Sequence, residues 1–373
     1  MPVSSFGNFL QIARSQPLLG PDEIINDASK HTYTIGKMIK NRAGTTIQGG
    51  SNITERVKLI ARNSFREYLP GEDRNPGRSN TLVPLTWPYR FAESDIAYTE
   101  AEVAMAVAKD GQKTAFKNLR RSLRQDAAQD HWDGLESRLW RVPSYTDMEL
   151  DTAGQAGKPF SIPAYITEGT TYTAPGWTNT NTLGGAAPAT YANWRNQRED
   201  YDSTAPYGNN GIFAAMDRMF LDLRWDQAPR NKDAFEDPGL DRLMIFTNKN
   251  GVTIFAQGLR SANDQLRAGP QDPSYGKPQF FGVPIDWSAE LDTNLLDEAS
   301  GSYTSQAYPE GKPRYFFING KYLYPIFHRD YFMTEKGPFD GGARQWDTEA
   351  LFYVTWWNLI CTSRRRQGLV FPE

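Results

Sequence analysis

The sequence has little of what most enzymes and disulfide-stabilised proteins need. Its 373 residues include one cysteine, Cys361, so the chain forms no internal disulfide, and its place in an apolar run predicts an inert buried thiol. The three histidines, His31, His131 and His328, are far apart, and none has a ligand at a zinc-binding spacing. His131 lies among polar residues and is most simply a solvated residue on a helix face. We therefore expect no metal and no cofactor.

Catalytic motifs are also missing. His328-Arg329-Asp330 matches the kinase catalytic-loop triplet, but Glu335 stands where kinase chemistry needs an asparagine. The sequence contains no phosphate-binding glycine loop, no GxSxG elbow and no dinucleotide fingerprint. With 44 acidic residues, adjacent carboxylates are uninformative about glycosidase chemistry. We therefore expect a protein that is not an enzyme.

Long apolar runs and a strong charge of one sign are absent too. No segment approaches the ~18 to 20 apolar residues that span a bilayer, so no membrane partner is expected. The net charge is −3, and contact with nucleic acid would need a local basic patch. One candidate is a helical stripe that could face an enclosed polyanion or simply be solvated: Lys113, Lys117, Arg120, Arg121 and Arg124. The other candidate, the cluster 364–366, could pair with acidic groups of a neighbouring chain or face a polyanion.

The most regular pattern that is present predicts a long β-hairpin over 54–98. Its arms, 54–68 and 81–91, alternate apolar and polar residues, and the segment LPGEDRNPGRSN between them is a polar turn region. A two-stranded hairpin alone is marginal in water. The hairpin therefore predicts a partner surface on another copy of the chain, with these intersubunit contacts: Arg62, Trp87, Tyr89 and Phe91.

Further patterns predict an α+β chain. A capping box at TEAE, 99–102, begins a helix with an apolar stripe that extends to about residue 140. Turn signals fill 145–210, and the remaining patterns predict a helix at 212–225, strands at 243–247 and 279–286, and a second helix that follows residues 248–251 and extends to 267. Three aromatic strands follow residue 312, and the last, ALFYVTWWNLICTS, is apolar on both faces and is expected to be covered on both.

This order of elements resembles the major capsid proteins of tailed double-stranded DNA bacteriophages, which have the Hong Kong 97-like fold. The resemblance spans nearly the whole chain, and SRRRQG after the tryptophan-rich strand is its most similar local string. It implies five parts: an N-terminal arm (1–53), an E-loop hairpin (54–98), a peripheral domain with a spine helix (99–145), an axial domain (146–311) and strands that return to the peripheral domain (312–373). The arm is also expected to lie on a neighbour.

The resemblance also implies a structural role in the virion. Pentamers and hexamers would close into an icosahedral head around non-specifically held double-stranded DNA, assembled in the host cytoplasm. A separate scaffolding protein, a portal and decoration or cement proteins would be the partners. Two alternatives remain: an encapsulin-like shell around a cargo enzyme, and a protein that binds or hydrolyses carbohydrate through exposed Trp177, Trp194 or Trp225.

Overall fold

A computed structural model describes residues 34–41, 46–47, 49–50, 52–60, 67, 81–99, 101, 113–140, 157–167, 182–223, 242–262, 278–292, 313–340 and 348–373. The helices in these ranges are α1 (Thr34–Asn41), α2 (Lys113–Trp140), α3 (Ile162–Tyr165), α4 (Ile212–Leu223) and α5 (Lys249–Ala262). The strands are β1 (Thr46–Ile47), β2 (Asn52–Lys58), β3 (Leu82–Pro88), β4 (Arg90–Thr99), β5 (Gln197–Tyr201), β6 (Leu243–Thr247), β7 (Gln279–Phe280), β8 (Val283–Trp287), β9 (Tyr315–Asn319), β10 (Leu323–His328), β11 (Thr334–Asp340), β12 (Thr348–Cys361) and β13 (Gly368–Pro372).

The predicted α+β class is confirmed, and so are most of the predicted elements. The helix at 212–225 and the strand at 243–247 occur as α4 and β6. The strand predicted at 279–286 is wrong in one respect, because the chain reverses inside it at Phe281 and Gly282, where φ is 47° and 77°. Two positive φ values in succession make the tight turn that joins β7 to β8.

A sheet of five strands is organised around β12. Strand β4 pairs along one edge of β12, from Thr99 opposite Thr348 to Arg90 opposite Trp357. Strands β10 and β11 pair with successive parts of the other edge, and β1 adds to β10 in parallel. The 14 residues of β12, rich in aromatic and β-branched side chains, are therefore paired on both edges over most of their length.

A second sheet has six strands in the order β5-β13-β9-β6-β8-β7. Strands β9 and β13 come from the segment 312–373, yet they pair with β6 and with β5. The segment 312–373 therefore supplies strands to both sheets, and its return to the peripheral domain stays a prediction. The cause of this pairing is the near-complete burial of both strands on the six-stranded sheet, where Phe317 and Val370 enter the core around α4.

Helix α2 covers one face of the five-stranded sheet. At 1.5 Å per residue its 28 residues are about 42 Å long. Ala127 packs with Ile96 and Leu351, and the last turns of the helix enter the main core through Leu135 and Leu139. The apolar stripe was therefore predicted correctly where its side chains are described. Thr99 of the predicted capping box ends β4, and Glu102 lies outside the described residues.

His131 is not the solvated residue that its polar neighbours suggested. It is 3% exposed, under the sheet, with Nδ1 2.9 Å from Ser94 Oγ and Nε2 2.8 Å from Thr355 Oγ1. Burial lowers the pKa of His131, although Asp130 opposes the shift. The sequence prediction failed because the sheet covers this face of α2.

The described part of the N-terminal arm packs on its own chain, and the contact of the remaining arm with a neighbour stays a prediction. The backbone N–H groups of Thr34 and Ile35, at the start of α1, each donate to the carboxylate of Glu136 over 2.9 Å. Trp140 Nε1 donates to the same carboxylate over 3.2 Å. Burial raises the pKa of Glu136 while these hydrogen bonds oppose the rise. Residues 1–33 lie outside the described residues.

Candidate functional site

The predicted hairpin exists, but its base packs on its own chain. Strands β2 and β3 pair antiparallel, from Asn52 opposite Pro88 to Lys58 opposite Leu82. Trp87 is fully buried in the main core, and the backbone N–H of Thr86 donates to the Gly184 carbonyl over 3.0 Å. Trp87 therefore is not an intersubunit contact, because its ring already fills a site inside this chain. The hairpin tip and Arg62 lie outside the described residues.

Tyr89 is also turned inward. Its side chain is 7% exposed, its ring meets that of His328 edge to face at 5.7 Å, and burial raises its pKa. The expectation that Tyr89 contacts a neighbour is therefore wrong for the same reason as for Trp87. Phe91 differs from both. It lies in β4, which begins at Arg90, and its side chain is 63% exposed.

Phe91 belongs to a face of the five-stranded sheet that stays accessible in the described part of the chain. Along β4, the side chains of Ile96 and Tyr98 are buried under α2, whereas the odd-numbered positions from 91 to 97, on the opposite face of the strand, are exposed. The members of this open face, at alternate positions of three neighbouring strands, are Phe91, Glu93, Asp95 and Ala97 of β4, Phe352, Val354 and Trp356 of β12, and Lys336 and Phe339 of β11.

Aromatic side chains are concentrated at one end of the open face. The rings of Tyr331 and Trp356 stack at 3.9 Å with an interplanar angle of 7°. Phe91 meets Trp356 edge to face at 5.0 Å, and Lys336 Nζ lies 5.0 Å from the centre of the Tyr331 ring. The apolar sequence of β12 predicted that both of its faces are covered. Trp356 is only half-buried, so that prediction is wrong at this end of the open face. The covered part begins at Trp357, which is 1% exposed.

The basic stripe predicted on α2 is only partly described. Arg124 pairs with Glu335 of β11 at 2.6 Å and so joins the helix to the sheet of its own chain. That pairing argues against Arg124 as a cation directed at an enclosed polyanion. The backbones of Lys113, Lys117, Arg120 and Arg121 lie in the helix, and their side chains lie outside what the structure describes.

The arginine cluster at the C-terminal end of β12 is divided by the fold. Arg364 is fully buried, and its guanidinium donates to the Tyr165 and Trp194 carbonyls over 3.0 and 3.3 Å. Burial lowers the pKa of Arg364 to about 10. Arg365 is exposed, and Arg366 is half-buried and donates to the Leu223 carbonyl over 3.3 Å. Only the last two can serve an external partner.

The described residues offer little to the other predicted chemistries. They hold no group of three or more His, Cys, Asp and Glu side chains that could bind a metal ion. Cys361 is buried as predicted, and burial raises its pKa to about 12. Trp194 is fully buried, which removes it as an exposed stacking platform for sugars. Trp177 and Trp225 lie outside the described residues, and none of the described helices is long and apolar enough to cross a bilayer.

No family model matches the sequence, and no curated protein matches it either. Solved structures do match the fold. The cyanophage A-1(L) capsid asymmetric unit has 12% identity and a TM-score of 0.60, over 95% of this chain and 97% of that chain. The capsid of Myoviridae phage XM1 has 11% identity and a TM-score of 0.50, over 95% and 96%. The mature capsid of bacteriophage PhiM1 has 8% identity and a TM-score of 0.50, over 94% and 90%.

These likenesses define a class of fold. Over nearly its whole length, the chain has the mixed α+β fold, with several sheets and few helices, that these phage capsid structures contain. At such low identity the likeness is one of fold.

Proposed function

We propose that this chain is the major capsid protein of a tailed bacteriophage and acts as a structural subunit. The observation that carries the proposal is the likeness to the cyanophage A-1(L) capsid subunit, which includes 95% of this chain and 97% of that one. The match therefore spans nearly the whole length of both chains. The role is mechanical: many copies associate edge to edge and enclose a volume.

The finer Hong Kong 97-like parts follow from that proposal. The β2–β3 hairpin is the E-loop, whose base is anchored by Trp87 and whose tip extends over an adjacent subunit. Helix α2 is the spine helix of a peripheral domain, and the six-stranded sheet forms the axial domain. The packing of the hairpin base on its own chain supports this role, because a loop that links two subunits must be fixed to the subunit from which it extends.

The open face of the five-stranded sheet supports association between copies. An apolar patch with a charged rim is typical of protein interaction sites. Here Phe91, 63% exposed, and Phe339, 52% exposed, lie in the same face as the charged Glu93 and Lys336. Of the predicted intersubunit contacts, Phe91 remains in the proposal, and so does Arg62, which lies outside the described residues.

The assembly and its partners are part of the same proposal. Pentamers and hexamers close into an icosahedral head that encloses double-stranded DNA, with a separate scaffolding protein, a portal and decoration or cement proteins. The chain needs no cofactor for this role, and the protein becomes part of the virion.

Electron microscopy of the chain expressed with its scaffolding protein tests the proposal. We expect closed particles tens of nanometres wide. Phe91→Asp places a second carboxylate beside Glu93 on the open face, so it should abolish particles. The edge-to-face contact with Trp356 that it removes lies within the chain and is worth about 0.5 to 1.5 kcal/mol, so the chain should stay folded by circular dichroism. The matched variant Phe91→Leu keeps an apolar side chain and should still assemble.

A chain that stays monomeric at high concentration with scaffold present would refute the proposal. Particles that contain a cargo enzyme and no nucleic acid would instead support the encapsulin-like alternative. Particles that contain DNA support it as stated.

A further inference from the structure

A groove of about 690 Å³ lies between the hairpin base and the turns at one end of the six-stranded sheet. One wall is formed by five successive residues of the hairpin, 55–59. The other wall includes the turn after β9 and the segment that follows β12. Local sequence patterns do not reveal this groove, because its walls come from segments that are far apart along the chain.

The groove is strongly basic although the chain as a whole is slightly acidic. Among the described residues that line it, only Glu55 carries a negative charge. Six of the residues that line it are cationic: Arg56, Lys58, Arg242, Lys321, Arg365 and Arg366. Such a local excess focuses positive potential inside a concave surface.

Backbone hydrogen bonds hold the second wall in place. Gly320 N–H donates to the Arg242 carbonyl over 2.7 Å, and Thr362 N–H donates to the Tyr322 carbonyl over 2.8 Å. Arg365 is directed by a hydrogen bond of 3.2 Å to the side chain of Asn193. The cations of this wall therefore sit on a fixed frame.

The composition of the lining indicates which polyanion fits. Phosphate contacts in protein–DNA complexes come from Arg, Lys, Ser, Thr, Asn and Tyr side chains. Besides its cations, the groove offers such neutral groups as Asn193, Thr362 and Ser363. A peptide ligand would also need apolar pockets, and two large apolar members of the lining, Leu59 and Tyr324, are 7% and 2% exposed and serve the chain's own core.

We propose that this basic groove binds the phosphate backbone of double-stranded DNA without reading its sequence. The inference rests on the proposed function, in which the shell encloses DNA. It moves the expected DNA contact from the stripe on α2 to the hairpin base, where Arg56 and Lys58 are exposed. It also explains how a chain with a net charge of −3 can hold a polyanion.

Binding of a labelled duplex of about 30 base pairs to the purified full chain, measured by fluorescence anisotropy at several salt concentrations, tests the proposal. Each neutralised phosphate contributes about 0.9 to the slope of log K against log salt. The double variant Arg56→Gln, Lys58→Gln should therefore bind more weakly, with a slope shallower by about 1.8. The matched control Arg218→Gln, Lys249→Gln removes two exposed cations outside the groove and should leave the slope unchanged.

An equal slope for the groove variant and the wild type would overturn the inference. Binding of labelled polyglutamate, without binding of the duplex, would also overturn it and assign the groove to an acidic peptide. Particle formation by the groove variant, scored separately by electron microscopy, distinguishes the two proposals. If shells form while DNA binding is unaffected, only the groove inference fails; if wild-type shells never form, the proposed function fails.

Discussion

Replacement of Gly184 by alanine should loosen the hairpin base. Gly184 has φ of +61°, and a Cβ atom there would lie 2.8 Å from Cε2 and 2.9 Å from Nε1 of Trp87. Alanine in this left-handed conformation costs about 1 to 2 kcal/mol. The Trp87 ring is fully buried, so overpacking against it adds about 1 to 3 kcal/mol.

Gly185 supplies the matched control. Its φ is +83°, so alanine there has a similar conformational cost, but no atom of the described residues lies within 4 Å of the added Cβ. The difference in free energy of unfolding between Gly184→Ala and Gly185→Ala therefore isolates the contact with Trp87, and we expect about 1 to 3 kcal/mol. Urea unfolding of the unassembled chain, followed by tryptophan fluorescence, measures both losses.

A double-mutant cycle sharpens the same test. In a Trp87→Leu background the smaller side chain leaves room for the added methyl, so the extra cost of Gly184→Ala should shrink. Equal losses for the two glycine variants, or an unchanged cost in the Trp87→Leu background, would refute the packing of the hairpin base on its own chain.

Two further predictions concern buried charged or titratable side chains. Burial lowers the pKa of His131 in the folded chain, so the unfolded chain binds a proton at a higher pH than the folded chain does. The free energy of unfolding therefore falls as the pH drops below about 6.5, by at most about 1.4 kcal/mol per pH unit. His131→Gln should flatten this pH dependence in urea unfolding, and an unchanged profile would contradict the burial of a neutral ring. Arg364→Met leaves the Tyr165 and Trp194 carbonyls without this donor and should lower the free energy of unfolding by about 3 kcal/mol, measured by thermal or urea unfolding. Arg365→Met, at an exposed position, should change it by less than about 0.5 kcal/mol. Similar losses for both variants would show that the buried hydrogen bonds of Arg364 do not stabilise the fold.

Elements with a strong local pattern were predictable. Alternation along 54–58 and 82–88 and the spacing of apolar residues in α4 indicated the hairpin and the helix correctly. Short strands with polar sequences were missed: β5 has the sequence QREDY inside a region of turn signals. Its strand conformation comes from parallel pairing with β13, more than 150 residues further along the chain, which local patterns do not reveal.

The candidate site was less predictable than the fold. Trp87, Tyr89 and Phe91 are alternate aromatic residues and look equivalent in sequence, yet the first two enter the chain's own core and only Phe91 is exposed. The difference arises because the chain passes from the hairpin into β4, where the side-chain direction is set by pairing with β12. Similarly, three successive arginines become one buried donor and two surface cations.

The amino-acid sequence by itself determined the α+β class, the hairpin, the long helix and the lack of catalytic motifs, because these depend on neighbouring residues and on composition. The tertiary structure alone decided which aromatic residues are buried, which histidine is enclosed and where the basic groove forms. Those features depend on contacts between segments that are far apart in sequence, such as Gly184 against Trp87 and Arg56 facing the same groove as Arg365.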